Sequence, residues 1–318
     1  MLRIDSLDQL PQAFKNAPHP RVLTAGTFDG LHRAHQHLIR MTRERAEGGS
    51  AIVFTFSNHP LSILAPPYQP KALLTPQRKE EILRQMDVDN LINPPFTRQF
   101  AAMDAESFAR SILVDALDID ELVVGFDFRF GNQGLGDEER LRQLGEKYGF
   151  DVDIQAAIYH EEWAISSSHI RDLIDSGHLR MAARMLGRPY EMEGPVEHGF
   201  GRGTKLGFPT ANLAVDPAYA IPASGVYAVF VIVGDKPYKA MMNIGTSPTF
   251  AGTEHRPEVF LFDFDGDLYG ETLRVQFIER IREERKFESA EALQERLKVD
   301  EKVCRAVLES WQAQPEVR

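Results

Sequence analysis

Gly26-Thr-Phe-Asp-Gly-Leu-His-Arg-Ala-His35 follows a short apolar stretch, residues 21–25, and opens a run with Leu31, Ala34, Leu38 and Met41 at helical spacing. A strand passing through a glycine turn into a helix is the building unit of a parallel sheet, and the same alternation continues along the chain. Residues 51–56 (AIVFTF) read as a strand buried on both faces. Ile82, Leu83 and Met86 share a helical face after Pro76, as do Phe108, Ile112, Leu113, Ala116 and Leu117 further on. Residues 121–125 (ELVVG) and 152–158 read as strands, with a helix marked by Leu141, Leu144 and Tyr148 between them. Ligands of such sheets bind beyond the carboxyl ends of the strands, which points to the loops at 26–32, 57–60, 125–136 and 165–171.

The pattern changes near Gly187-Arg-Pro-Tyr190. Beyond it residues 226–233 (VYAVFVIV), 259–264 (VFLFDF) and 272–277 are β runs, punctuated by turn residues at 234–235, 245–248 and 265–267. An antiparallel sheet or small barrel is expected, closed by a C-terminal helix with Leu293, Leu297, Cys304, Leu308 and Trp311 inward. Two domains follow, 1–186 and 187–318, as the length of 318 residues suggests.

Composition narrows the function. A net charge of −11 leaves no cationic excess for a polyanion, so neither nucleic acid nor an anionic membrane is an expected partner. One cysteine, Cys304, excludes an internal disulfide and any multi-cysteine metal site. The first residues carry no basic segment followed by an apolar one, and no run reaches the ~18 apolar residues of a membrane span. A cytoplasmic protein is expected.

Small phosphates remain possible, because backbone N–H groups and a few cations suffice to bind them. Gly26 and Gly30 let backbone approach a ligand closely, and the helix that follows aims N–H groups at the same place. His32 and His35, three residues apart, could donate to a phosphate without permanent charge; two surface histidines on a strand–helix corner would look the same. A zinc site would need a third ligand, and none is apparent. Ser167 and Ser168, with Arg171 one turn later, form a second hydroxyl-rich helix start, which caps alone would also explain. In the second half, Gly201, Gly203, Gly207 and Lys205 could wrap phosphates, although the pattern is not a Walker loop. Thr210 and Asn212, two apart on extended chain, put two oxygens on one side, a natural Mg²⁺ site beside ATP.

Gly26-x-Phe-Asp-Gly-x-His-x-x-His35 with Ile165-Ser-Ser-Ser-x-Ile-Arg171 resembles the nucleotidyltransferase superfamily. More closely, it resembles the FMN adenylyltransferase module of the bacterial bifunctional riboflavin kinase/FAD synthetase family. Phe54-Thr-Phe-Ser-Asn-His-Pro60, Pro95-Phe-Thr-Arg-Gln-Phe100 and Gly125-Phe-Asp-Phe-Arg-Phe-Gly131 extend the resemblance. It implies a doubly wound domain that joins FMN to the α-phosphate of ATP and releases pyrophosphate. Gly26, Phe28, Asp29 and Gly30 would contact ATP, His32 and His35 would stabilise its phosphates, and Ser167, Ser168 and Arg171 would hold pyrophosphate. His59, Pro60, Asp127 and Phe128 would contact flavin.

Gly203-x-x-x-Gly-Phe-Pro-Thr-Ala-Asn212, Asn243-Ile-Gly-Thr-Ser-Pro-Thr-Phe250, Glu258 and Asp263-Phe-Asp-Gly-Asp-Leu-Tyr-Gly270 resemble the riboflavin kinase module of the same family. The resemblance implies a six-stranded antiparallel barrel that phosphorylates riboflavin with Mg-ATP, with Glu258 as base and Asn243 against the flavin. Residues 287–300 resemble its flavin-capping segment and helix. Departures fall in the first module: Ala34 replaces a usual Gly, Ser57-Asn58 an acidic–Pro pair, Gly134 a common Arg and Ser168 a Thr. One alternative therefore keeps the kinase and weakens or loses the adenylyltransferase. Another is a flavin-binding regulator without catalysis.

Overall fold

Two stretches separate by their packing: Met1–Pro70 with Pro76–Ile165, and Lys71–Thr75 with Ser166–Arg318. The computed structural model describes residues 1–197, 207–249 and 252–311, with only the backbone of 246–249 and 252–256.

In the first unit, β1 (Leu2–Ile4), β2 (Arg21–Ala25), β3 (Ser50–Phe54), β4 (Asn90–Ile92), β5 (Glu121–Gly125) and β6 (Asp151–Gln155) form one sheet. Its order is β1-β4-β3-β2-β5-β6, and every pairing is parallel. All residues of β2 and β3 are buried, which accounts for their unbroken apolar reading. Leu23, Ile52, Leu122 and Val124 pack one face against Leu10, Phe14, Ile112, Leu113, Leu141 and Leu144. Val22, Ala51 and Val123 pack the other face against Leu38 and Ala46. Helices on both faces make the sheet doubly wound, and the strand order reverses between β2 and β5.

The helices of this unit are α1 (Leu10–Phe14), α2 (Arg33–Arg45), α3 (Leu61–Leu64), α4 (Pro76–Gln85), α5 (Arg98–Ala101), α6 (Ala105–Phe108) and α7 (Glu138–Tyr148). Three local expectations are corrected. The helix expected from Leu31 starts at Arg33, because Leu31 is left-handed (φ 43°) and His32 is extended. The helix expected through 108–117 widens after α6 into a π turn at Ala109–Val114, where Asp115 and Leu117 donate to carbonyls five residues back. The strand expected at 152–158 stops at Gln155, and β7 (Tyr159–His160) with β8 (Trp163–Ala164) makes a separate antiparallel pair.

The second unit begins with α8 (Ser167–Asp175) and α9 (Leu179–Leu186). Six strands follow: β9 (Tyr190–Glu197), β10 (Ala211–Leu213), β11 (Gly225–Val233), β12 (Lys236–Thr249), β13 (Gly252–Leu261) and β14 (Thr272–Glu283). They close an antiparallel barrel in the order β10-β13-β12-β11-β14-β9, and β9 also pairs with β10. Tyr190, Tyr227 and Phe277 fill its interior with Val229, Val231, Met242, Val259 and Val275, each under 4% exposed. On the outer wall, Val226, Ala228 and Met241 pack against Cys304 and Leu308 of α10 (Ala290–Ser310), the expected closing helix. The expected strand 259–264 ends at Leu261 and begins well before Glu258. The change from helices to strands falls near Gly187, as read from sequence, whereas the packing division falls between Ile165 and Ser166. The apolar face of α9, with Leu179, Ala182, Met185 and Leu186 buried, is covered by β9 and β14.

Candidate active sites

Beyond the carboxyl end of β2 the chain turns through Phe28 (φ 47°), Gly30 (φ 78°) and Leu31 (φ 43°). Two non-glycine residues in the left-handed region cost on the order of 1 kcal/mol each or more, and complete burial of both side chains offsets that strain. The turn delivers His32 to the N-cap of α2, where its Nδ1 accepts the His35 N–H at 3.3 Å. With Nδ1 accepting, Nε2 is the ring nitrogen of His32 left to donate. The two imidazoles stack, centroids 3.6 Å apart at 15°, and the edge of Phe28 meets His35 at 5.1 Å. They are not surface histidines: His32 is 4% exposed. Buried His35 Nδ1 has no hydrogen-bond partner among the described residues. Burial, followed by His32 and Lys79, holds the His35 pKa well below the ordinary 6.5, so the ring is neutral at pH 7.

A cavity of about 680 Å³ opens at the point where the strand order reverses. Gly26, Phe28, His35, Pro60, Asp127 and Phe128 line it, so six residues expected at ATP or flavin meet there. Phe54, Phe56, Phe96, Phe100, Phe108 and Phe130 supply the wall, linked ring to ring at 5.0–6.3 Å. Asp29, Gly30 and His32 belong to the turn behind this lining. His59 does not line the cavity; its Nδ1 accepts the Leu61 N–H at 3.1 Å and holds the start of α3. Asn58 accepts the Phe96 N–H at 2.7 Å and donates to Ser62 Oγ at 3.0 Å, tying two aromatic-bearing loops together. Gly134 lines the cavity at φ 66°, and Ala34 is half-buried on α2.

Sequence reading missed Lys79 and Thr55. Lys79 Nζ donates to Thr27 O and Thr55 Oγ1, both at 2.8 Å. Burial pushes its pKa down to about 8, opposed by nearby Asp29. Lys79 lies in the charge run Arg78-Lys-Glu-Glu81, which reads as an ordinary solvated helix face.

Ser167, Ser168 and Arg171 lie on α8, within the second compact unit. Ser166 is the cap there, accepting the His169 N–H at 3.2 Å, and Arg171 Nε donates to Lys71 O at 2.6 Å.

On the barrel, antiparallel register places Asn212, Glu258 and Asn243 side by side on β10, β13 and β12. The row continues to Val226, so it lies on the outer wall that α10 covers further along. Thr210 Oγ1 donates to Glu258 Oε2 at 3.4 Å. A Cβ on Gly245 would meet Glu284 Oε1 at 3.1 Å and Asn243 Nδ2 at 3.4 Å, which brings a second carboxylate beside the row. The expected base, flavin contact and metal residues are therefore neighbours despite separations of up to 48 positions. Gly207 is left-handed (φ 82°); Gly201, Gly203 and Lys205 lie outside the described residues. Among the described residues, no group of three or more His, Cys, Asp or Glu could hold a metal, and no helix is long and apolar enough to cross a membrane.

On α10, Asp300 is fully buried, ion-paired at 2.8 Å with Arg282 Nε of β14 and with Arg296 Nε. Burial, then Asp300, pushes the Cys304 thiol up to about 12, so it is inert.

Family models described as FAD synthetase and riboflavin kinase match residues 14–169 and 186–308. The bifunctional riboflavin kinase/FMN adenylyltransferase of Escherichia coli K12 is 36% identical over 305 residues, 95% of each chain. That of Bacillus subtilis is 35% identical over 288 residues, covering 88% of this chain and 90% of the relative. A Streptococcus pneumoniae crystal structure described as a macrolide-efflux protein superposes with a TM-score of 0.86 at 35% identity, covering 98% of this chain and all of that one. With matches to both catalytic modules and full-length relatives of one description, the chain belongs to the bifunctional riboflavin kinase/FMN adenylyltransferase family.

Proposed function

We propose that the two activities of this enzyme reside at the two constellations above, with functional domains 1–186 and 187–318. In riboflavin phosphorylation, Glu258 accepts the proton of the 5′-hydroxyl as that oxygen bonds to the γ-phosphorus of ATP and ADP leaves. An alcohol is a weak nucleophile at pH 7, so a carboxylate within reach accelerates the step. The row Thr210–Glu258–Asn212–Asn243 is the observation that carries this reading. Thr210 and Asn212 offer neutral oxygens beside an anion, a hard donor set that fits Mg²⁺. When bound, Mg²⁺ would neutralise charge on the ATP phosphates. Asn243 borders the flavin.

In adenylyl transfer, a phosphate oxygen of FMN bonds to the α-phosphorus of ATP and pyrophosphate leaves. The nucleophile is already an anion, so positioning and charge stabilisation suffice and no base is required. His32 and neutral His35, with the N-terminus of α2, donate to the phosphates. Asp127, Phe128 and Pro60 border the isoalloxazine in the aromatic cavity, whose volume falls in the usual range for ligand sites. Ala34 disturbs neither the histidine stack nor the start of the helix, which supports an active site in this unit. We place both reactions in the cytoplasm, with ATP, riboflavin and FMN as the small-molecule partners. The test is purified protein with riboflavin, ATP and Mg²⁺, followed by separation of the flavins. FMN followed by FAD is expected, and FMN alone would overturn the reading of the first site.

A further inference from the structure

The turn that carries Phe28, Leu31 and His32 is strained, and its polar backbone must be held from outside. Thr27 O, at its start, accepts two bonds, from Lys79 Nζ at 2.8 Å and from Thr55 Oγ1 at 3.1 Å. Thr55, 1% exposed, follows β3 directly, and its N–H donates to Ile92 O at the end of β4. One ammonium on α4 thus ties the loop after β2 to the loop after β3. Hydrogen bonds from a charged donor contribute roughly twice those of neutral pairs.

We propose that Lys79 is a positioning residue for adenylyl transfer: its ammonium clamps Thr27 O to Thr55 Oγ1 and so holds the turn that presents His32 and His35 to the phosphates. The role rests on the reading of the first site given above. Among the described residues, the titratable groups that interact with Lys79 are Asp29 in the turn and His35 on α2, and the loop after β3 adds the neutral hydroxyl of Thr55. On its own helix, Arg78 pairs with Glu81, and Glu80 with Arg3 and Arg84. Asp29 supports the ammonium, and the ammonium in turn opposes protonation of His35. Its pKa of about 8 means that the clamp loses its charge as pH rises through that value.

The test compares Lys79→Met and Lys79→Arg with the unaltered enzyme. FAD formation from supplied FMN, riboflavin phosphorylation and thermal unfolding are measured in the same preparations, the unfolding of the first unit reporting on the fold around Lys79. For Lys79→Met we expect kcat for FAD formation to fall about 30-fold, with KM for FMN within about twofold and kinase activity unchanged. Lys79→Arg should restore most of the rate, and its alkaline limb should move upward from pH ~8 because guanidinium stays charged. FAD formation by Lys79→Met within about threefold of the unaltered rate would overturn the proposal. Should Lys79→Met fail to fold, Lys79→Arg decides through its limb: a shift supports the clamp and an unmoved limb refutes it. Absence of FAD formation in the unaltered enzyme would instead refute the reading of the site itself.

Discussion

In the parallel-sheet unit, the phosphate donors proposed above come from one decapeptide, 26–35, whereas in the barrel the proposed reactive groups come from Thr210 and three strands, spread over positions 210–258. The difference follows from where each architecture exposes its backbone. A parallel sheet ends in loops and helix N-termini, so a single crossover delivers glycines, amide donors and side chains together. A closed barrel offers no strand ends of that kind, and its chemistry lies across the wall, one residue per strand. The nucleophiles differ in parallel. In the proposed assignment FMN arrives as an anion and meets two imidazoles, while riboflavin arrives as an alcohol and meets a carboxylate.

Breaking the barrel row should have the largest effect. Glu258→Gln is expected to lower FMN formation about 10³-fold, within the usual range for loss of a general base, and to spare FAD formation from supplied FMN. Loss of both activities in a folded protein would place the two reactions at one site. His32→Ala should do the reverse, lowering FAD formation about 10²-fold with riboflavin phosphorylation intact, as for other lost phosphate or oxyanion donors. Smaller, and confined to stability, is the effect expected at Asp300. Replacing it with Ala removes the shared partner of Arg282 on β14 and Arg296 on α10 and should cost about 3 kcal/mol of the second unit's stability. Thermal unfolding followed in both units would then show one transition falling while the other stays.

Legibility in the sequence differed in the same way. Strands buried on both faces, such as residues 121–125, were plain from their apolar runs, and so was the turn at Gly26–Gly30. Short β1, β4 and β10, three residues each, carry too few positions for a periodic signal. The π turn after α6 was hidden because its buried Ile112 and Leu113 also satisfy α-helical spacing. At the sites, Thr210 and Asn212 were legible as a pair from their spacing, whereas Glu258 was legible only through resemblance, since register across strands decides its adjacency to them. Lys79 was not legible at all: nothing in a charge run marks an ammonium that turns to a backbone carbonyl and a buried threonine hydroxyl.

Separate sites joined only by diffusing FMN make one direct prediction. Glu258→Gln protein given riboflavin, ATP and Mg²⁺ should leave riboflavin unchanged, and His32→Ala protein should stop at FMN. Mixed together, the two should form FAD from riboflavin, since each supplies the step the other lacks. A mixture that still stops at FMN or riboflavin, with each protein folded and retaining its other activity, would contradict two independent sites.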